Sequence, residues 1–100
     1  MNRTINGLPA IHPGEHIREA LQGLGMSQAA LAKALGVPAA RISHLVREER
    51  PVTVELALRL GQAFGQSPQF WLNLQADYDL KKARAQFKDS LHAVRELVAT

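Results

Sequence analysis

The strongest constraint on the fold is a connection of only three residues, Gly36-Val37-Pro38, between two short segments with apolar residues at helical spacing. Pro38 disfavours helical geometry at Val37, so the first segment must end before it. Gly36 is suited to the left-handed residue that follows a helix end. A connection of this length is typical of the tight turn in a helix-turn-helix unit.

The side chains on either side of the turn fit that interpretation in a single register, residues 28–47. Ala32 is small where the two helices would cross closely, and Ile42 and Leu45 would pack the second helix onto the first. Each position has a packing reason, and all of them agree with Gly36 as the turn residue. The sequence therefore predicts a helix-turn-helix unit here.

The rest of the chain carries helix start and stop signals. Starts are expected at Pro13, Ser27, Thr53 and Ser67-Pro68. Gly23 and Gly25 are expected to end the first helix, and Gly36 and Gly65 to end later ones. A third helix is expected from about Pro38 to Arg47, and a fourth from Val54 to Phe64. No Gly or Pro occurs after Pro68, so residues 68–99 predict either one helix or two that break near Asp77-Tyr78-Asp79. No segment alternates like a strand. The expected fold is all-α, a five-helix domain with an extended C-terminal helix.

Composition excludes several classes of protein. The chain has no Cys, which excludes disulfides, thiolate metal sites and a cysteine nucleophile. No run approaches the roughly 18 apolar residues of a membrane span, and Met1 to Ala10 lack the apolar core of a secretory signal. We therefore expect a cytoplasmic protein without membrane association. The net charge of +3 permits a nucleic-acid partner without requiring one.

One pattern resembles a catalytic metal site. His12-Pro13-Gly14-Glu15-His16 matches H-x-x-E-H, which in inverted zinc proteases supplies two ligands and a general base. Pro13 and Gly14 instead place the pattern at a helix start, with His12 at or outside the cap. We interpret it as a capped helix and expect no metal, no cofactor and no catalytic residues.

The second helix of the unit is the expected reader of DNA, since such a helix lies in the major groove with its N-terminal part at base edges. Arg41 or Arg47 would bind guanine or hold a phosphate, and Ser27 and Gln28 lie where phosphate contact is typical. The alternative for the arginines is a solvated helix face. The expected DNA-contacting residues are Ser27, Gln28, Ala39, Ala40, Arg41, Ser43, His44, Arg47 and Arg50. Ala39 and Ala40 offer only methyl groups, so DNA shape would carry part of the specificity.

Two apolar clusters follow the fourth helix. Phe70, Trp71 and Leu74 predict either core packing or a contact with a partner protein. Farther on, apolar residues recur at helical spacing, and a small monomer would leave them uncovered. This stripe predicts a dimer-forming helix, with a frayed or self-packed tail as the alternative; it consists of Leu80, Phe87, Leu91, Val94 and Val98.

Several segments resemble known proteins. Ser27-Gln28, Leu31-Ala32, Leu35-Gly36-Val37 and Ile42-Ser43 resemble the Xre/Cro-repressor-like DNA-binding family. Ile11-His12-Pro13-Gly14-Glu15 and Phe70 to Leu80 narrow the resemblance to HigA-type antidote (antitoxin) proteins of addiction modules. The resemblance covers about residues 11–84. This chain differs from many members of the family at Pro38, where they carry a Ser or Thr cap.

The resemblance implies a bacterial homodimer that binds an inverted repeat in its own promoter, with Gln28 on a phosphate. It further implies a HigB-type toxin, a ribonuclease, as partner; residues 1–24 are a candidate surface for it. The alternative is a stand-alone regulator without a toxin. The expected division is a lead-in (1–11), a DNA-binding domain (12–76) and a C-terminal extension for dimerisation (77–100).

Overall fold

The protein is all-helical over the part that the computed structural model describes, residues 9–98. Six helices and no strand occur in this range: α1 Pro13–Leu24, α2 Gln28–Leu35, α3 Ala39–Val46, α4 Val54–Phe64, α5 Pro68–Gln86 and α6 Lys88–His92. The predicted all-α class is confirmed. The sequence also predicts a turn at Asn6-Gly7, which lies outside the described residues.

Side-chain caps fix the starts of α2, α4 and α5, because each cap satisfies a backbone N–H that the first turn leaves unpaired. The Ser27 hydroxyl accepts from the backbone N–H of Ala30 at 3.0 Å, and the Thr53 hydroxyl accepts from that of Leu56 at 3.2 Å. Ser67 caps α5 in the same way, with Pro68 in the first turn. The expected helix starts are therefore confirmed for α2, α4 and α5.

Glycine ends three of the helices. Gly25, Gly36 and Gly65 all take left-handed backbone angles, with φ of 63°, 73° and 66°. Gly23 lies inside α1, so Gly25 alone ends that helix. At Gly36 the left-handed residue turns the chain directly into α3, as the short connection requires.

One hydrophobic core joins the first five helices. α3 packs against α1 and α2, while α4 packs against α2 and α5. The side chains that face this core are Ile17, Leu21, Leu31, Ala32, Leu35, Val37, Ile42, Leu45, Val46, Val52, Leu56, Ala57, Leu60 and Trp71. Ala32, Ile42 and Leu45 are all buried, which confirms the packing register predicted for the helix-turn-helix unit.

The cluster at the start of α5 divides between core and surface. Trp71 is buried against Phe64 of α4, with 5.9 Å between ring centroids. Phe70 packs edge-on against Trp71 but stays 40% exposed. In the described range no helix is both long and apolar enough to cross a membrane.

The structure of the C-terminal region differs from both predicted alternatives, which are one uninterrupted helix and two helices that break near Asp77-Tyr78-Asp79. α5 runs through those residues and ends at Gln86, with Phe87 between it and α6. α6 ends at His92, so Val94 and Val98 do not lie on a helical stripe. No residue of α6 is buried. A short helix needs tertiary packing to persist, and no residue between 9 and 98 buries the apolar side chains of α6.

Candidate nucleic-acid interface

The solvent-facing side of α3 is the candidate interface. Ile42, Leu45 and Val46 are buried, which directs the remaining side chains of the helix outward. Pro38 occupies the N-cap position without a side-chain hydrogen bond, and the helix begins at Ala39. The N–H groups of the first turn thus have no capping side chain from Pro38.

The residues predicted to contact DNA are all accessible to solvent. Ala39, Ala40 and Arg47 are exposed, and Arg41, Ser43 and His44 are partly exposed. Ser27 and Gln28 are exposed at the start of α2. The Ser27 oxygen already accepts from the N–H of Ala30, so its hydroxyl hydrogen is available to donate to a phosphate.

Three of the predicted contacts meet in one place. Arg41, His44 and Arg50 line a shallow groove between α3 and the N-terminus of α4, where Thr53 caps the helix. A helix N-terminus favours negative charge, because its N–H groups and dipole are directed outward. The Arg50 side of the groove, next to the first turn of α4, is therefore suited to an anionic group such as a phosphate. Arg47 and Gln28 are not among its lining residues.

Arg41 is held by a carboxylate. Its guanidinium lies 3.4 Å from one oxygen of Glu55, in the first turn of α4. The other oxygen of Glu55 pairs with Arg59 at 3.1 Å, and Arg59 donates to the carbonyl of Leu35 at the end of α2 at 2.8 Å. The hydrogen bond from Arg59, and then the charge of Arg41, hold the pKa of Glu55 below its usual value.

The C-terminal end of α3 is fixed by an arginine from another helix. Arg18 of α1 donates to the carbonyl of Val46 and to the carboxylate of Glu48, the latter at 3.2 Å. Glu48 has a left-handed φ of 63°, which a non-glycine residue rarely adopts. Arg47, the second predicted reading arginine, pairs with Glu49 at 3.4 Å.

His12 is a structural histidine. Its ring is buried, packs edge-on against Tyr78 at 4.9 Å between centroids, and its Nδ1 accepts from the backbone N–H of Gly14 at 2.9 Å. Burial lowers the pKa of His12, because the charged ring would lose its hydration. With Nδ1 accepting from Gly14, the pattern from His12 to His16 forms the capped helix start that the sequence predicted.

The loop between α3 and α4 is held by a residue that the sequence did not single out. Gln75 is buried on α5, and its Oε1 accepts from the backbone N–H of Val52 at 2.8 Å. Its amide nitrogen donates to Asp79 at 3.0 Å. Together with the His12–Tyr78 contact, this bond joins the two segments that resemble the antitoxin family to the loop that carries Arg50. The contacts that Gln75 and His12 make across the fold were not predictable from either segment alone.

Known protein families match the part of the chain that contains this interface. The helix-turn-helix family HTH_3 matches residues 17–71. Virulence-associated protein I of Dichelobacter nodosus is 51% identical over 90 residues, which are 89% of this chain and 82% of that protein.

Two solved structures share the fold at similar identity. Pseudomonas aeruginosa antitoxin HigA, solved with the higBA promoter, is 43% identical with a TM-score of 0.84. A HigA-family addiction-module antidote protein from Coxiella burnetii is 40% identical with a TM-score of 0.87. Each match covers 89% of this chain and 99% of the solved one.

Proposed function

This chain belongs to the Xre-like helix-turn-helix family, among the HigA-type antitoxins, and we propose that it represses its own toxin–antitoxin operon and neutralises a HigB-type ribonuclease toxin. The observation that carries the DNA-binding part is the meeting of Arg41, His44 and Arg50 around one groove on the outer side of α3. The similarity to HigA, solved with its promoter, supports DNA binding by this chain.

In this proposal the exposed residues of α3 contact base edges and the residues around it contact the backbone. Arg41 and Arg47 bind guanine or phosphate, and Ser43 and His44 add polar contacts. Ala39 and Ala40 touch thymine methyl groups. The phosphate contacts come from Ser27, Gln28 and Arg50.

The operator would be an inverted repeat read by a homodimer. Two recognition helices would then lie about 34 Å apart, one turn of DNA. The exposed apolar side chains of Leu80, Phe87 and Leu91, on α5 and α6 and between them, support a dimer surface there. Val94 and Val98, which follow α6 and are exposed, would extend this dimer surface. The chain would then divide at residue 77 into a DNA-binding part and a dimerising part.

The toxin would be bound elsewhere, and we keep residues 1–24 as the candidate surface, of which 9–24 are described. The antitoxin itself would have no enzymatic activity and would work in the bacterial cytoplasm, where its operator and its toxin are. The capped geometry at His12 supports a structural rather than a catalytic use of that segment.

Operator binding is tested by substituting the two reading arginines. Arg41→Ala and Arg47→Ala should each weaken binding, and an arginine that reads a base should cost about 1–3 kcal/mol and relax specificity at one position. Arg84→Ala on α5 is the matched control, with an exposed arginine outside the groove. Binding is measured by fluorescence anisotropy on promoter DNA. Unchanged affinity in both the Arg41 and the Arg47 variant would refute this placement of the recognition helix.

Toxin binding is tested by expressing the tagged protein with its immediate gene neighbours and weighing what co-purifies. A stoichiometric small basic protein that loses ribonuclease activity on binding would support the antitoxin role. A clean homodimer without a companion, although the neighbour is expressed, would favour a stand-alone regulator of transcription.

A further inference from the structure

Glu55 bridges two arginines that come from different helices. One of its carboxylate oxygens lies 3.4 Å from Arg41 on α3, and the other lies 3.1 Å from Arg59 on α4. Both oxygens are therefore engaged, and the carboxylate plane is fixed by two directions at once. An isolated surface ion pair would leave one oxygen free to rotate away.

Arg59 is itself fixed from behind. Besides Glu55, it donates to the backbone carbonyl of Leu35, at the C-terminal end of α2, at 2.8 Å. Leu35 is a core residue of the helix-turn-helix unit. The position of Glu55 is thus set by the backbone of α2 through Arg59, and Glu55 passes this constraint to the side chain of Arg41.

The pairing leaves Arg41 able to bind a base. A guanidinium has five N–H donors in a rigid fork, and guanine presents two acceptors, O6 and N7, in the major groove. One terminal nitrogen of Arg41 points to Glu55, so the remaining donors are sufficient for both acceptors. A guanidinium without this constraint would reach phosphates as readily as bases, and phosphates carry no direct sequence information.

We propose that Glu55 is a positioning and specificity-determining residue, which orients Arg41 toward a guanine and keeps it from the DNA backbone. This inference rests on the proposed DNA binding through α3. Glu55 acts in two ways: it holds the guanidinium in one direction, and its negative charge opposes close approach of a phosphate to the same side chain. Loss of Glu55 should therefore increase general affinity for DNA while it reduces discrimination between sequences.

The test compares Glu55→Gln with the wild-type protein on three duplexes: the operator, operators with single base-pair changes, and an unrelated sequence. We expect the discrimination at one G·C pair to fall about fivefold or more. Affinity for the unrelated duplex should rise, and the salt dependence should steepen by about one phosphate contact. Glu55→Asp keeps the charge but is too short to bridge both arginines, so it should lose discrimination without the gain in general affinity.

Two controls separate positioning from a structural effect. Glu49→Gln removes the carboxylate that pairs with Arg47 at 3.4 Å, with a similarly exposed side chain, and should leave discrimination at the Arg41 base pair unchanged. In an Arg41→Ala background, Glu55→Gln should have no further effect on discrimination, because Glu55 acts through Arg41. Thermal unfolding of each variant is measured alongside.

The outcomes are distinct. If the wild-type protein fails to bind promoter DNA, the proposed function itself is wrong. If it binds, but Glu55→Gln changes affinity for all duplexes by the same factor, or has its full effect in the Arg41→Ala background, the positioning role is wrong and DNA binding stands.

Discussion

Replacing Gly14 with alanine should destabilise the protein, although alanine is the better helix former. Gly14 is buried in the first turn of α1, where that helix meets the end of α3. A Cβ at this position would lie 2.1 Å from the carbonyl oxygen of Leu45 and 3.1 Å from its carbonyl carbon. Non-bonded heavy atoms are most stable about 3.5–4.0 Å apart, so α1 and α3 would have to separate by about 1.4 Å or more.

The magnitude follows from two opposing terms. Alanine in place of glycine within a helix favours folding by about 0.5–1 kcal/mol. Overpacking costs about 1–3 kcal/mol, and here the obstacle is backbone, which has no rotamer with which to move aside. The separation also loosens the contacts of Ile17, which is fully buried on the same helix. We expect a net loss of about 2 kcal/mol, which for a chain of this size lowers Tm by about 10 °C.

Gly23→Ala is the matched control. It lies in the same helix, but a Cβ there would meet nothing within 4 Å. This variant should be stabilised by about 0.5–1 kcal/mol. Both are measured by urea and thermal unfolding at one protein concentration, since dimer formation would make Tm depend on concentration. If Gly14→Ala matches or exceeds the stability of Gly23→Ala, the close approach of α1 to α3 is wrong.

Three further predictions concern other contacts. The pKa of His12 is lower in the folded than in the unfolded protein. The free energy of unfolding should therefore be highest above pH about 6.5, where the ring is neutral, and should decrease as the pH falls below that value. Urea unfolding between pH 5 and 8 should show this slope, and His12→Asn, which keeps an acceptor for Gly14, should flatten it. Gln75→Ala leaves the buried N–H of Val52 unpaired and should lower the free energy of unfolding in urea by about 1–3 kcal/mol. A decrease of less than about 0.5 kcal/mol would contradict this hydrogen bond. Truncation after Arg84 removes α6 and most of the apolar stripe, and sedimentation equilibrium should show at least a tenfold weaker dimer; an unchanged dimer would place the interface elsewhere.

The helix boundaries were largely predictable because they depend on nearby residues. Ser27, Thr53 and Gly36 act within four positions along the chain, by a side-chain cap or by a left-handed backbone angle. α4 has the bounds that the sequence predicted, Val54–Phe64. The end of α5 at Gln86 was not predictable, because no Gly or Pro marks it and the missing factor is packing.

The candidate site was predictable only in part. The register of α2 and α3 identified which residues face outward, since burial of Ile42 and Leu45 fixes the rotation of the helix. Nothing in the sequence linked Arg41 to Glu55, because the two are 14 residues apart and lie on different helices. The same holds for Arg18 and its contacts at the end of α3, 28 and 30 positions away.

The sequence alone therefore determined the helices, the tight turn and the face of α3 that meets solvent, because caps, turns and apolar periodicity act over a few residues. Only the tertiary structure decided which charges meet. The Glu55 bridge, the Arg18 bond to Val46 and the burial of His12 against Tyr78 all depend on how the helices are placed in space. Sequence spacing does not encode such distances, since they are set by the packing of the whole core.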